Sequence, residues 1–457
     1  MSSVRIRDVS VRDGRIAYEY DATPDVGRFL ADDFVVEYDV DVSEVPAEIL
    51  VVPLVANLCP VAWAVGADVY VPRADEAFLR ALADVREGFE TLHPGFARGG
   101  TVYAREIVDA GVGETTADVT DAGEGGNATD SASAMLFSGG VDSLTTYLRH
   151  RDEEPTLISV HGFDIPLDRD DRWDEREAEL RAFGDSAGVD NRFVRLNMQS
   201  FLDLVQLNAH FGRYYDDNWI TSVHHGLGLL GACAPLSVTE GFGTLYIAAT
   251  HSAGFSHPWG SHPEIDDRVA WGDTAVEHDG YELTRQQKLY RIADHVREED
   301  PDLRIRTCSD ASGNCGRCEK CARTEVGLLL AGLDPADHGY EFDSASFDYI
   351  RGRFEAGDWH LGADERFMWR DIQSHVEVDG ERVGVDGERE YSYEGAREFF
   401  AWLRDADVDA LAARSTDADS TDSVRNRAVY AVARHAPYPV YSRLYSAVSS
   451  IGERLSG

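Results

Sequence analysis

The sequence predicts an α/β protein, a parallel sheet flanked by helices, with an N-terminal α+β domain before it and a mainly helical C-terminal region after it. Three observations carry that reading. Between residues 134 and 333, short apolar runs alternate with longer helical stretches, as strands do when helices carry the crossovers. One run, Ala134-Met135-Leu136-Phe137, passes through a glycine turn into a helix-like Leu144-Thr145-Thr146-Tyr147-Leu148. The chain has 457 residues, 43% of them hydrophobic, which is room for two to three domains with cores of their own.

Taken in order, residues 1–111 form the α+β domain. Tract 15–20 sets Ile16, Tyr18 and Tyr20 at every second position, the alternation of a strand with one buried face. Run 49–55 reads as the clearest buried strand, with Pro53 pointing to an edge or a bulge. A helix is expected over 74–86, with Phe78, Leu79 and Leu82 on one side. Residues 112–133 are Gly, Thr, Ser, Asp and Ala with almost nothing large and apolar, which reads as a solvated acidic linker. Domain 134–333 has expected strands at 135–137, 157–160, 192–196 and 244–248. Region 334–457 is expected to be helical, with a helix at 394–403, an acidic linker at 415–423 and a last tract broken by Pro437 and Pro439. Tyr430, Arg434, Tyr441, Arg443 and Tyr445 of that tract read first as packing or dimer contacts and second as a nucleic-acid stacking face.

The formal net charge of −40 is spread along the chain, and Lys288 and Lys320 are its only lysines. That balance fits a halophilic protein in molar salt, where carboxylates hold water and self-repulsion is screened. It speaks of the solvent more than of partners and leaves RNA open. Residues 1–18 carry charges where a signal peptide would be apolar, and no uninterrupted apolar run approaches about 18 residues. A cytoplasmic protein with no membrane span is the expectation. Four of the six cysteines fall between 308 and 321, which points to a metal in a reducing compartment rather than to disulfides. Cys59 and Cys233, in apolar surroundings without a basic neighbour, read as inert packing.

Two motifs carry chemistry. In Ser138-Gly139-Gly140-Val141-Asp142-Ser143 the glycines admit a close anion, amides converge at the positive end of a helix dipole, and the serines add hydroxyls. Asp142 is placed to organise Mg²⁺ or to cap the helix. The spacing is not that of a Walker A loop. In Cys308-x6-Cys315-x2-Cys318-x2-Cys321, four thiolates within 14 residues can enclose one ion. Structural zinc is the first reading and an iron–sulfur cluster the second. Lysine scarcity singles out Lys288 as a compact charge for a departing phosphate, with Arg285 as its substitute; Arg323 is a third candidate, pinned by the cysteines. His251 and His262 are candidate proton acceptors in a His-rich loop.

The hexapeptide resembles the pyrophosphate-binding loop of the PP-loop ATP pyrophosphatases, a superfamily with a HUP-like fold. It includes GMP, NAD and asparagine synthetases, tRNA thiolation enzymes and 7-cyano-7-deazaguanine synthase. With a four-cysteine cluster carboxy-terminal to the loop, the nearest resemblance is to 7-cyano-7-deazaguanine synthase, over roughly residues 134–333. Asn314-Cys315-Gly316-Arg317-Cys318-Glu319-Lys320-Cys321-Ala322-Arg323-Thr324 also looks like a segment of uncharacterised PP-loop proteins. The resemblance implies ATP held by Ser138, Gly139, Gly140, Val141, Asp142 and Ser143, with Mg²⁺ bridging its phosphates. His161 and Gly162 end the second strand, near adenine, and Asn197 ends the third. Asp142, Ser143, Lys288 and Arg323 form the implied catalytic set. The implied reaction adenylates a small carboxylate-like acceptor, releases pyrophosphate and AMP, and lets ammonia complete a ligase or amidotransferase cycle. A tRNA-thiolating enzyme and a non-catalytic nucleotide-binding protein are the alternatives, and a homo-oligomer is compatible with each.

Overall fold

The computed structural model describes residues 2–111, 132–215, 217–255, 257–308, 313–376 and 393–414. Among them eleven strands form a single sheet: β1 (Ser3–Arg12), β2 (Arg15–Ala22), β3 (Val36–Tyr38), β4 (Asp68–Asp75), β5 (Val102–Val108), β6 (Ala132–Leu136), β7 (Thr156–His161), β8 (Asn191–Leu196), β9 (Phe242–Ala248), β10 (Ala270–Trp271) and β11 (Thr274–Asp279). Their spatial order is β10-β11-β9-β6-β7-β8-β3-β2-β1-β4-β5. The stretch from β11 to β8 is parallel throughout. Counted from β6 and omitting the two-residue β10, that stretch runs 3-2-1-4-5, the order of a doubly wound sheet. The strand order reverses between β6 and β9, and the carboxyl ends there form a topological switch point.

The strands expected at 135–137, 157–160, 192–196 and 244–248 are present as β6, β7, β8 and β9, and tract 15–20 lies within β2. The amino-terminal strands do not form a separate sheet. β3 pairs antiparallel with β8, matching Val36 to Leu196 and Tyr38 to Val194. One hydrophobic cluster unites Val4, Ile16 and Leu54 with Leu196, Trp219, Leu230 and Trp271. A second gathers Met135, Phe137, Leu144, Phe193, Leu289 and Ile305, and a third holds Val326, Phe347, Phe354, Trp369 and Phe400 in the carboxy-terminal helices.

Run 49–55 is a correction. It is helical, comprising Ala47–Leu50 and the start of α1 (Val52–Val65). Buried on every side, the segment has no periodicity to separate helix from strand. Pro53 sits in the first helical turn, where a missing N–H costs nothing. Ala47–Val65 is long and apolar enough to cross a membrane, yet 94% of its most apolar 18-residue stretch is buried inside the protein.

The helix expected at 74–86 is α2 (Glu76–Leu92), opened by Asp75, whose carboxylate accepts from the Phe78 amide at 2.9 Å. Then follow α3 (Val141–His150) after β6, α4 (Asp170–Ala187) after β7, α5 (His225–Ala232), α6 (Arg285–Glu298) and α7 (Glu319–Leu330). The carboxy-terminal region adds α8 (Ser344–Ala356), α9 (Ala363–Ser374) and α10 (Ala396–Asp405), the last matching the helix expected at 394–403. Of the expected linker 112–133, Ala132 and Ser133 belong to β6. Residues 112–131, the linker 415–423 and the tract with Tyr430, Arg434, Tyr441, Arg443 and Tyr445 lie outside the described residues.

Candidate functional site

The glycine turn leaves β6 at the switch point and enters α3. Gly139 has φ +70°, a conformation that favours glycine, and Gly140 is the cap residue with no side-chain bond to the helix. The first-turn amides of a helix have no carbonyl of their own to bond, so those of α3 are available to an anion. Ser143 is buried and braces the turn: its Oγ accepts from the Ser138 amide at 3.2 Å and lies 3.3 Å from Ser138 Oγ. Ser138 is exposed and lines the cleft in front of the turn.

The turn opens on a small cleft of about 100 Å³, lined also by Ser159, Val160, Asp164, Trp173, Arg176, Arg285, Arg306, Thr307, Cys308 and Lys320. Four cations and the carboxylates Asp142 and Asp164 thus face one cleft, in a chain with 83 acidic and 43 Lys and Arg residues. Sequence reasoning missed Arg176, Arg306 and Asp164. They come from three separate segments, and only the fold brings them to the turn.

Asp142 neither caps α3 nor stands free. Its Oδ1 accepts from Lys288 Nζ and its Oδ2 from Arg285 Nη1, both at 3.0 Å. Burial would raise the carboxyl, but Lys288 and then Arg285 outweigh it and hold it at about 2. Lys288 is 1% exposed and also donates to the Ala249 carbonyl, so it lies beneath the turn rather than in the cleft. Arg285 reaches the cleft in its place. Arg323 is buried on α7, paired with Glu319 at 3.3 Å and in contact with Met368, away from the cleft lining.

His161 stacks on Trp173 at 4.5 Å, and its Nε2 lies 3.2 Å from the Pro166 carbonyl; burial lowers its pKa. Its neighbours Ser159 and Val160 line the cleft instead. A Cβ on Gly162 would come within 1.8 Å of the Leu196 carbonyl, so this glycine lets the ends of β7 and β8 close up. Asn197 ties down the segment before β3, accepting from the Val35 amide and donating to the Asp33 carbonyl, both at 2.8 Å. His262 is engaged at both nitrogens: Nδ1 accepts from the Glu264 amide, which leaves Nε2 to meet the Tyr281 hydroxyl at 3.0 Å. His251 is buried, with Nε2 lacking a hydrogen-bond partner among the described residues and 4.0 Å from Asp364. Cys59 and Cys233 are fully buried, and burial pushes both thiols up.

The sulfurs of Cys308, Cys315, Cys318 and Cys321 all lie within 4.8 Å of one another, and Cys315 Sγ is 3.8 Å from Cys321 Sγ. Tetrahedral zinc with Zn–S near 2.3 Å sets sulfurs about 3.8 Å apart, so the group fits that ion. Amide donors favour thiolates: Cys315 Sγ accepts from Arg317 and Cys318, and Cys318 Sγ from Cys321. Four protein sulfurs close the coordination shell, which is the arrangement of a structural site. A second group, His150 with Glu277 and Asp279, is already met by Arg149, whose Nε lies 3.0 Å from Asp279.

Fold and site together define an α/β protein with a glycine turn at its switch point, a cationic cleft in front of it and a four-cysteine cluster beside it that can hold a metal ion. No protein-family model matches the chain, and no curated protein or solved structure is similar enough to count as a relative.

Proposed function

We propose that the chain is an ATP-dependent ligase of the PP-loop type, acting on a small carboxylate-like acceptor and releasing AMP and pyrophosphate. One observation supports this above the rest: a glycine turn at the carboxyl edge of a doubly wound sheet faces four cations in a protein of net charge −40. Arg176 and Arg285 also hold groups of the turn, yet the four cations outnumber the carboxylates Asp142 and Asp164 in the lining, an excess that suits a polyanion. The β- and γ-phosphates rest on the amides of residues 139–143, with Arg285, Arg306 and Lys320 around them. Mg²⁺, as the nucleotide's counter-ion, adds to the charge neutralisation.

An acceptor carboxylate oxygen attacks the α-phosphorus, the bond to the bridging oxygen breaks, and pyrophosphate leaves with both electrons of that bond. Ammonia then attacks the acyl carbon, AMP departs, and the nitrogen loses a proton. Positioning and charge neutralisation supply the catalysis. The zinc-type site holds the cleft wall and takes no part in the bond changes. Sulfur transfer is less well supported, because Cys59 and Cys233 are both sealed in the core.

The test is pyrophosphate release in molar KCl, screened over carboxylic acids with ammonium. Release that needs both acid and ammonium supports the ligase. ATP binding without release would make the protein a nucleotide sensor, and no ATP binding would remove the reading altogether.

A further inference from the structure

The cysteine cluster and the glycine turn share one buried side chain. Arg176, on α4, is 9% exposed. Its Nη1 donates to the Ser138 carbonyl at 2.8 Å and its Nη2 to the Cys308 carbonyl at 3.1 Å. Alongside, the Arg306 amide donates to the Gly139 carbonyl at 3.0 Å. Asn314, next to Cys315, accepts from the amides of Thr307 and Cys308 at 2.9 and 3.2 Å and donates to the Ile305 carbonyl at 2.7 Å. Segment 305–308 is thus bonded to the turn on one side and to the cluster on the other. Lys320, between two cysteine ligands, completes the cleft wall.

We propose that the metal cluster positions the glycine turn, with Arg176 as the residue that transmits its occupancy, so that metal binding and nucleoside triphosphate binding are linked. The affinity half of this rests on the nucleotide reading above. The physical reason lies in the two carbonyls. Arg176 draws the Ser138 and Cys308 oxygens toward itself, and a carbonyl turned into the cleft would oppose a phosphate. The planar guanidinium fork spans both oxygens with two separate N–H donors, a geometry that a lysine ammonium reproduces only in part. A metal that fixes Cys308 fixes one anchor of the fork; its loss frees that anchor and, through it, Ser138. Linkage is reciprocal, so bound nucleotide must also retain the metal.

The experiment uses the full zinc-loaded chain in molar KCl. Removing zinc is expected to weaken ATP binding about tenfold or more. ATP is expected to slow zinc extraction by a chromogenic chelator. Arg176→Met is expected to keep one zinc per chain, to lose a similar factor in ATP affinity, and to abolish the protection of zinc by ATP. Amide hydrogen exchange at residues 139–143 should speed up in both cases, and Arg176→Lys should recover part of each effect. Equal ATP affinity with and without zinc, or wild-type exchange at 139–143 in Arg176→Met, overturns the proposal. Should the zinc-free chain unfold, the Arg176→Met comparison decides alone. If the zinc-loaded wild type binds no ATP, the nucleotide reading fails, while the exchange data still decide whether cluster and turn are coupled.

Discussion

Lys288 draws attention in the sequence because lysine is rare, and its setting explains why an ammonium is kept there. A compact charge on a thin stem fits a buried site where two oxygens, from Asp142 and Ala249, converge. Replacing it with methionine leaves the Asp142 carboxylate with Arg285 alone, and Lys288→Met should lose about 3 kcal/mol, read by denaturant unfolding in molar KCl. Asp142 gives the pair a pH signature. Its folded pKa of about 2 is below the unfolded value of about 3.9, so its stabilising effect is complete above that unfolded value. The effect then disappears as pH falls from about 4 to about 2. Acid unfolding should therefore cost the wild type on the order of 2 kcal/mol more than Asp142→Asn across that window. Asp142, Arg285 and Lys288 were all legible as special residues. Their pairing was not, because contacts between positions 143 and 146 residues apart leave no trace in a local pattern.

Among elements, the parallel strands were the easiest to read. Largely buried, β6, β7 and β9 show as short apolar runs closed by turn residues, and β8 sets Phe193, Val194 and Leu196 alongside two partly exposed arginines. β3, only three residues long, and β5, mostly exposed, offer no such run. The apolar run that became helix shows the opposite failure: burial on all sides erased the 3.6-residue period, and only its continuation to Val65 marked a helix. Where β7 meets β8, Gly162 combines φ +108° with backbone contact at Leu196. Gly162→Ala should cost several kcal/mol and lower the melting temperature without touching the cleft lining. The cysteine cluster was legible from spacing alone, since its four ligands lie within one local segment. One zinc per chain by elemental analysis, in colourless protein, is the expected outcome; brown protein containing iron would replace zinc by a cluster. Cys315→Ser should reduce the metal content and the melting temperature together.

At the scale of the molecule, composition marked a boundary near residue 111, while the sheet runs straight past it through the β3–β8 pairing. Strands of both parts, and a cluster drawn from both, should unfold together. Calorimetry in molar KCl is expected to give one transition covering both, and a fragment of residues 132–457 should expose β8 and lose solubility. The charge adds a second expectation. With −40 spread over the chain, lowering KCl lengthens the range of repulsion, and the melting temperature should fall steadily with it. Strand order and the packing of α1 against α5 came from the fold alone, because neither follows from periodicity within an element. That last contact bears on biosynthesis. Gly231 of α5 backs directly onto Ala56 of α1, so the apolar segment Ala47–Val65 leaves the ribosome long before its cover has been translated. Throughout that interval the nascent chain carries, uncovered, a stretch with the length and apolarity of a membrane anchor, and its burial waits on the synthesis of α5.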